Sequence, residues 1–205
     1  MKHLNTYFSE ETIEFTKNYN FENNDYYAVI LKKALEKNDI EAMFIIGSRF
    51  TRNNHDKKEV KYGIGWLLKL IDTYDSGNYK HEVEEDRLIS TEYLYYRAKY
   101  CLATIFLPNI PCINSILKMH VAGADGVYED HDFGLQLLKD CAVVQYGGEP
   151  FIELSLMYFS GCVVEKDIKK AKEYYEKAID IGCGDDDEEF LKSYGDELKK
   201  VCEVF

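Results

Sequence analysis

Ser115 and Lys118 are the residues whose types and spacing come closest to a catalytic pair. In the S-x-x-K motif, a lysine three residues after a serine helps to activate the hydroxyl group for acyl transfer. With 8 serines and 21 lysines among 205 residues, about one such pair is expected by chance. The companion motifs S-D-N and K-T-G are absent. We therefore expect no catalysis at Ser115 and predict that the chain is not an enzyme.

The residues that could bind a metal ion are scattered along the chain. Its 5 histidines show no C-x-x-C or H-E-x-x-H spacing that would gather ligands on one side of a helix. The acidic stretch 125–132 (DGVYEDHD) has enough carboxylates for calcium, but Gly126 comes too early for an EF-hand loop. Gly63 and Gly65 fall inside a predicted helix, so they form no phosphate-binding loop. The sequence predicts neither a metal site nor a cofactor.

Charge and composition argue against two classes of partner. The chain has 37 acidic and 25 basic residues, and its net charge of -12 would repel a nucleic-acid backbone. No run approaches the roughly 18 consecutive apolar residues that span a bilayer, and no apolar secretion signal follows Met1. All 6 cysteines lie from Cys101 onward, and we expect thiols in a reducing compartment, although an even number leaves disulfides open. We expect a cytoplasmic protein that binds neither nucleic acid nor membrane.

The helices that would position functional residues recur at a fixed spacing. Only 3 prolines interrupt a pattern that is otherwise helical. Pro150 and Ala171 lie 21 residues apart, and so do Ala42 and Gly63. Equal spacing in dissimilar sequence is typical of a structural repeat. In each repeat we expect two antiparallel amphipathic helices joined by a turn.

A middle repeat fits the same pattern once an insertion is allowed. Ala98 and Gly134 lie 36 residues apart, which is the same spacing lengthened by 15 residues. The insertion covers residues 109–124 and contains the helix breaker Pro111. A second insertion, near residues 73–89, separates the first repeat from the middle one.

The repeat is clearest from Pro150 to Gly182. Its first helix should end at Gly161, and Asp167 should cap its second helix. The facing positions of the two helices are Leu154, Ser155, Tyr158, Ala171, Tyr174, Tyr175 and Ala178. The small residues would let the helices approach closely, and the aromatic residues would fill the remaining gaps.

These residues resemble the Sel1-like repeat, A-x-x-x-L-G-x-x-Y-x-x-G-x-G-V-x-x-D-x-x-K-A. The matching positions are Leu154, Tyr158, Gly161, Val164, Asp167, Lys170, Ala171 and Ala178, whereas Pro150 and Val163 depart from the pattern. The resemblance implies an all-α solenoid of antiparallel helix hairpins, related to tetratricopeptide repeats, with about three repeats and capping helices. It implies one domain over residues 1–205, divided into an N-terminal cap (1–38), repeats (about 39–72, 95–147 and 148–183) and a C-terminal cap (184–205).

In solenoids of this kind the first helices line a concave surface. The motif positions that the resemblance assigns to this surface are Phe44, Ser48, Tyr100, Thr104, Ile152, Leu156 and Phe159. Most of them are apolar, and an exposed apolar strip generally marks an interaction site. We therefore expect a non-catalytic adaptor or scaffold that binds a peptide segment of a protein partner in this groove.

Three alternatives remain open at the level of sequence. The apolar segment 113–121 of the insertion could fold back and cover the groove. The chain could instead be a secreted Sel1-like protein that binds a cell-wall ligand near Ser115. That branch of the family places a second cysteine eight residues after the first, but Glu149 follows Cys141 at this distance. Finally, the apolar strip could pair with the strip of a second molecule to form a homo-oligomer.

Overall fold

The structure, a computed structural model, describes residues 3–21, 24–51, 56–79, 89–107, 128–143 and 147–181. Every regular element in these ranges is an α-helix, which confirms the predicted all-α class for the described residues. The helices are α1 (Leu4–Tyr7), α2 (Glu10–Asn18), α3 (Asn24–Lys37), α4 (Ile40–Phe50), α5 (Lys57–Asp75), α6 (Thr91–Phe106), α7 (His131–Cys141), α8 (Glu149–Ser160) and α9 (Ile168–Asp180). No helix in these ranges has the length and apolar character needed to cross a membrane. The chain divides into two compact units, Met1–Leu102 and Ala103–Phe205.

Several sequence predictions lie outside the described residues. They concern the Ser115–Lys118 pair, residues 125–127 of the acidic stretch 125–132, the insertion 109–124 and the C-terminal cap 184–205. The central part of the second insertion, residues 80–88, also lies outside them.

In the first unit, α4 and α5 form a closely packed helix pair. The Asp39 carboxylate caps α4 by accepting a hydrogen bond from the Ala42 amide at 2.8 Å. Asp56 and Glu59 form a reciprocal capping box at the start of α5. A Cβ atom on Gly63 of α5 would lie only 2.9 Å from the Gly47 carbonyl oxygen of α4. The absence of side chains at both glycines therefore allows this close approach.

The second unit repeats this kind of helix contact. The Asp130 amide donates a hydrogen bond to the Phe106 carbonyl oxygen at 3.0 Å, and the Asp130 carboxylate caps α7 by accepting from the Phe133 amide. A Cβ atom on Gly134 would lie 3.1 Å from Phe106 Cβ and 2.6 Å from Leu107 Cγ. Gly134 thus packs directly against the end of α6.

In the second unit, α8 and α9 lie where the sequence predicts two helices joined by a turn. Gly161 ends α8 in the left-handed conformation, with φ of 78°, which glycine adopts without the steric cost of a Cβ atom. Asp167 caps α9, and its amide donates to the Tyr158 carbonyl oxygen at 2.9 Å. The Ser155 hydroxyl donates to the Ala171 carbonyl oxygen at 2.8 Å. Both predicted caps and the predicted close approach are therefore present.

The start of α5 differs from the starts of α7 and α9. Asp130 and Asp167 cap their helices four residues before Gly134 and Ala171, the small residues at the helix crossing. In α5 the capping Asp56 lies seven residues before the corresponding Gly63. This helix therefore begins about one turn earlier, although the 21-residue spacing from Ala42 to Gly63 is kept.

The N-terminal cap contains more structure than the sequence predicted. Within the predicted cap, α3 buries Ile30, Leu31 and Ala34 on its inner face. Ahead of it, α1 and α2 pack against α5. We call residues 3–21, which include both helices and the link up to Phe21, the N-terminal strap.

Candidate functional site

The groove residues predicted in the first unit differ in their accessibility. Phe44 and Ser48 lie one turn apart on α4, and both are half-buried. Tyr100, on α6, is only 5% exposed. The expected solvent exposure of Tyr100 is therefore wrong, while α4 does present two of the predicted residues at its surface.

In the second unit the predicted strip is mostly inaccessible. Ile152 is 0%, Leu156 4% and Thr104 9% exposed. Phe159 is half-buried, and the Lys166 ammonium group lies 5.5 Å from the centre of its ring. The predicted exposure of Thr104, Ile152 and Leu156 is therefore wrong.

The sequence of α8 explains this correction. All nine residues from Pro150 to Tyr158 are buried in the structure. Seven of these nine residues are apolar, the exceptions being Glu153 and Ser155. A helix with apolar residues around most of its circumference belongs to a core, whereas a surface helix keeps one polar side. The motif predicts which residues share a face of α8, but it does not determine whether that face is exposed to solvent.

The N-terminal strap occupies a different surface, on α5. Gly65 is the contact point for its backbone, because a Cβ atom there would overlap the Tyr7 carbonyl oxygen. The Phe8 ring meets the Trp66 ring edge-on, with ring centres 5.0 Å apart. The Phe15 ring is stacked on the Tyr62 ring at 4.3 Å. Residues of α5 from Tyr62 to Trp66, about one helical turn, therefore contact the strap.

Two hydrogen bonds from α5 fix the strap in place. The Trp66 indole N–H donates to the Thr16 hydroxyl oxygen at 2.9 Å, and both residues are buried. The Thr16 hydroxyl in turn donates to the Thr12 carbonyl oxygen at 2.8 Å. The Tyr62 hydroxyl donates to the Glu11 carboxylate at 2.6 Å. The two donors on α5 thus meet a hydroxyl and a carboxylate five residues apart on the strap.

The strap also encloses an aromatic cluster around Phe50, a residue with no exposed surface. The rings of Phe15, Tyr19 and Phe21 lie 5.7, 4.9 and 5.6 Å from the Phe50 ring, measured between centres. Phe50 belongs to α4, at the position where the repeat motif has its aromatic residue. The strap and the first helix pair therefore share one core.

An open groove lies between the C-terminal part of the strap and α3, beside the contact in which the Phe21 ring stacks on the Tyr27 ring at 3.9 Å. Its volume is about 840 Å³. Residues of the strap and of α3 line it, including Thr16, Tyr19, Phe21, Tyr27, Leu31 and Leu35, with Lys17, Asp25, Lys32 and Glu36 as charged lining residues. The strap therefore packs closely on α5 but leaves open space toward α3.

Electrostatics strengthen the contact between Glu11 and Tyr62. The hydrogen bond from Tyr62 holds the pKa of the Glu11 carboxyl below its ordinary value, and the ammonium groups of Lys61 and Lys58 lower this pKa further. Burial, together with the hydrogen bond to Glu11 and its negative charge, raises the pKa of Tyr62 to about 12. At neutral pH the pair is therefore a protonated phenol donating to an ionised carboxylate, a charge-assisted hydrogen bond.

Acidification should weaken the docking of the strap. Because the folded state lowers the pKa of Glu11 from its ordinary 4.5, its stabilising contribution is fully present above pH 4.5. This contribution is lost as the pH falls from 4.5 through the lower pKa of the folded state. Thermal unfolding of wild type and Glu11→Gln between pH 7 and about pH 3 measures it, because the variant keeps an acceptor oxygen that does not titrate. Equal losses of stability in both proteins would show that Glu11 contributes nothing.

Removing the hydroxyl group of Thr16 should destabilise the strap directly. Thr16→Val keeps the shape of the side chain but leaves the buried Trp66 indole N–H without its acceptor, which costs about 1–3 kcal/mol. Chemical denaturation of the variant measures this loss. As a matched control, the exposed Thr6→Val should change the free energy of unfolding by less than about 0.5 kcal/mol. A similar stability for both variants would contradict the importance of the indole hydrogen bond.

The described residues contain little that resembles a catalytic or metal centre. Burial raises the pKa of the Cys101 thiol, which disfavours the reactive thiolate. Cys101, Cys141 and Cys162 all carry thiol groups rather than disulfides. Among the described side chains, no group of three or more His, Cys, Asp or Glu residues could hold a metal ion.

Sequence reasoning missed the strap, although one local signal was present. Ser9 precedes Glu10 and Glu11, an arrangement typical of a helix N-terminus, and Ser9 and Thr12 form a capping box. This signal predicts a helix but not the helix against which it packs. No protein-family model matches the chain, and no curated protein or solved structure matches it either.

Proposed function

We propose that this chain is a solenoid of Sel1-like helix hairpins that acts as a non-catalytic adaptor and binds a peptide segment of a protein partner. The observation that carries this proposal is a helix crossing found in both units. A Cβ atom on Gly63 would lie 3.0 Å from Phe50 Cβ, and one on Gly134 would lie 3.1 Å from Phe106 Cβ. The two glycines and the two aromatic residues occupy corresponding positions of the predicted repeat.

A shared backbone hydrogen bond supports the same interpretation in the second unit. The Asp130 amide donates to Phe106, and the Asp167 amide donates to Tyr158, at 3.0 and 2.9 Å. Both aspartates cap the second helix, and both acceptors are the aromatic residue of the first. Equivalent packing by dissimilar residues is what a repeat architecture requires.

We assign partner binding to the predicted groove residues that are accessible to solvent. Phe44 and Ser48 on α4 and Phe159 on α8 keep part of their surface open to solvent. Phenylalanine anchors are typical of surfaces that bind extended or helical peptides. Tyr100, Ile152 and Leu156 would contribute only through a rearrangement that uncovers them.

Partner capture with surface variants tests this proposal. Tagged wild type, Phe44→Asp and Phe159→Asp are used to capture proteins from a lysate of the source cells, and bound proteins are identified by mass spectrometry. Ile89→Asp is the matched control, since Ile89 is 50% exposed and lies outside the groove positions. We expect a specific partner to be lost from the two groove variants and kept by the control. Unchanged partners with all variants folded would rule out these residues as the binding site.

Homo-oligomerisation is a second candidate, favoured by the outer face of α3. Tyr26 and Val29 lie one turn apart there and are 47% and 56% exposed. Light scattering over a dilution series would detect self-association, and Val29→Glu should abolish it. A constant monomer mass over that series would exclude this candidate.

A further inference from the structure

The surface of α5 beneath the strap combines several features of a peptide-binding site. On the basis of the peptide-binding function proposed for this chain, we propose that the N-terminal strap is a tethered internal ligand that closes this site. When the strap detaches, an acidic amphipathic helix of a partner protein binds the same site. We define the strap site as Lys58, Lys61, Tyr62, Gly65 and Trp66.

The strap site is shaped for a peptide backbone. Gly65 is buried in the middle of α5, where glycine lowers helix stability by about 1 kcal/mol relative to alanine. Its missing Cβ atom makes room for the Tyr7 carbonyl group of the strap. Tyr62 and Trp66, three residues before Gly65 and one after it, supply the hydrogen-bond donors. A segment that binds here needs acceptors at two matching positions, as Glu11 and Thr16 provide.

Charge complementarity identifies the chemistry of the second occupant. The strap carries Glu10, Glu11 and Glu14, and α5 carries Lys58 and Lys61. The ammonium groups of Lys61 and Lys58 act on the Glu11 carboxylate. The Lys58 ammonium group also lies 5.7 Å from the centre of the Phe15 ring, within the range of a cation–π contact. An acidic helix with one aromatic residue meets these requirements.

The strap is built so that it can detach without unfolding α5. The only buried residues of α2 are Thr12 and Thr16, whereas α5 buries eleven residues, among them Trp66. Phe8 and Phe15 of the strap are only half-buried. Phe21, at the end of the strap, is buried against Phe50, so the hydrophobic gain from docking is concentrated at this end, whereas α2 itself buries no apolar side chain. The open groove of about 840 Å³ lies beside this end of the strap. Segments with few buried apolar contacts open at a lower free energy than the core.

A tethered ligand competes with any partner in proportion to its effective concentration. For a short connection this concentration is on the order of millimolar, so a free peptide of equal affinity binds the intact chain poorly. Weakening the strap at Glu11 and Thr16 leaves every residue of the strap site unchanged and removes part of this competition. The apparent affinity for an added peptide should then rise.

Peptide binding to the full-length chain tests this inference. The probe is a fluorescent synthetic peptide with the sequence of residues 3–21, and its binding is followed by anisotropy. We expect the double variant Glu11→Ala/Thr16→Ala to bind the probe about tenfold more tightly than wild type does. The matched control probe carries the same two alanines and should bind the double variant about tenfold more weakly than the native probe. Circular dichroism verifies that the variants are folded.

A third variant locates the probe on α5. Adding Tyr62→Phe to the double variant removes one donor and keeps the ring, and it should weaken probe binding severalfold. Equal affinity of wild type and the double variant, or equal binding of the two probes, would overturn the inference. Loss of partner capture by Phe44→Asp alongside normal probe binding would separate the groove proposed for the adaptor from the strap site. Normal partner capture without any probe binding would reject the strap site alone.

Discussion

Replacing Phe50 with alanine is expected to lower the free energy of unfolding by about 3–5 kcal/mol, the range for truncating a buried aromatic residue. Phe50 has no exposed surface, and the rings of Phe15, Tyr19 and Phe21 surround it. Truncation would therefore leave a cavity where the strap meets α4. All three rings belong to the strap, whose backbone is fixed on α5 through Gly65 and the Thr16–Trp66 hydrogen bond, so the cavity should collapse only in part.

Denaturant titration followed by circular dichroism measures this effect. Phe44→Ala is the matched control, because it removes the same atoms from a half-buried position of the same helix and should cost about 1 kcal/mol. If both variants lost the same stability, Phe50 would not be the centre of the first unit's core. Faster amide exchange in α2 of Phe50→Ala would also link this core to the docking of the strap.

Gly63→Val is expected to destabilise the first unit by at least about 3 kcal/mol, the upper end of the usual range for overpacked cores. A Cβ atom at this position would lie 2.6 Å from Thr51 Cγ2 and 2.9 Å from the Gly47 carbonyl oxygen. The carbonyl oxygen belongs to the backbone of α4 and cannot rotate away. The two further carbon atoms of valine would therefore force α4 and α5 apart.

A glycine outside the helix crossing provides the control for Gly63→Val. Gly77 has φ of 68° and no atom within 4 Å of a Cβ position, and asparagine tolerates this backbone conformation. Gly77→Asn should therefore change the free energy of unfolding by less than about 1 kcal/mol. Gly134→Val makes the corresponding change in the second unit and should cost a similar amount to Gly63→Val. Mild destabilisation by both valines would contradict the close contact at these glycines, and clearly unequal destabilisation would contradict the equivalence of the two crossings.

The helices and their ends were predictable because their signals are local. Asp167 and Gly161 act as caps through hydrogen bonds and backbone angles that involve only a few neighbouring residues. The contact of α8 with α9 was predictable as well, since a short connection brings the two helices together and Ala171 leaves room between them. The repeat spacing predicted where the same kind of helix contact recurs along the chain.

The accessibility of the groove could not be predicted in the same way. Ile152 and Leu156 share one face of α8, as the motif implies, but both are buried. A motif identifies the relative positions of side chains on a helix, whereas exposure depends on whatever else packs against that helix. The apolar residues on all sides of α8 were the sequence signal that this helix would be enclosed.

The sequence by itself determined the helical class, the capping residues and the small residues at which helices cross, because each depends on nearby positions or on a repeated spacing. Only the tertiary structure decided which helix the strap covers. The partners Glu11 and Tyr62 lie 51 residues apart, and Thr16 and Trp66 lie 50 apart. No local propensity relates residues at such distances, since their contact depends on the packing of α2 against α5. The strap site on α5 is therefore a feature of the folded chain.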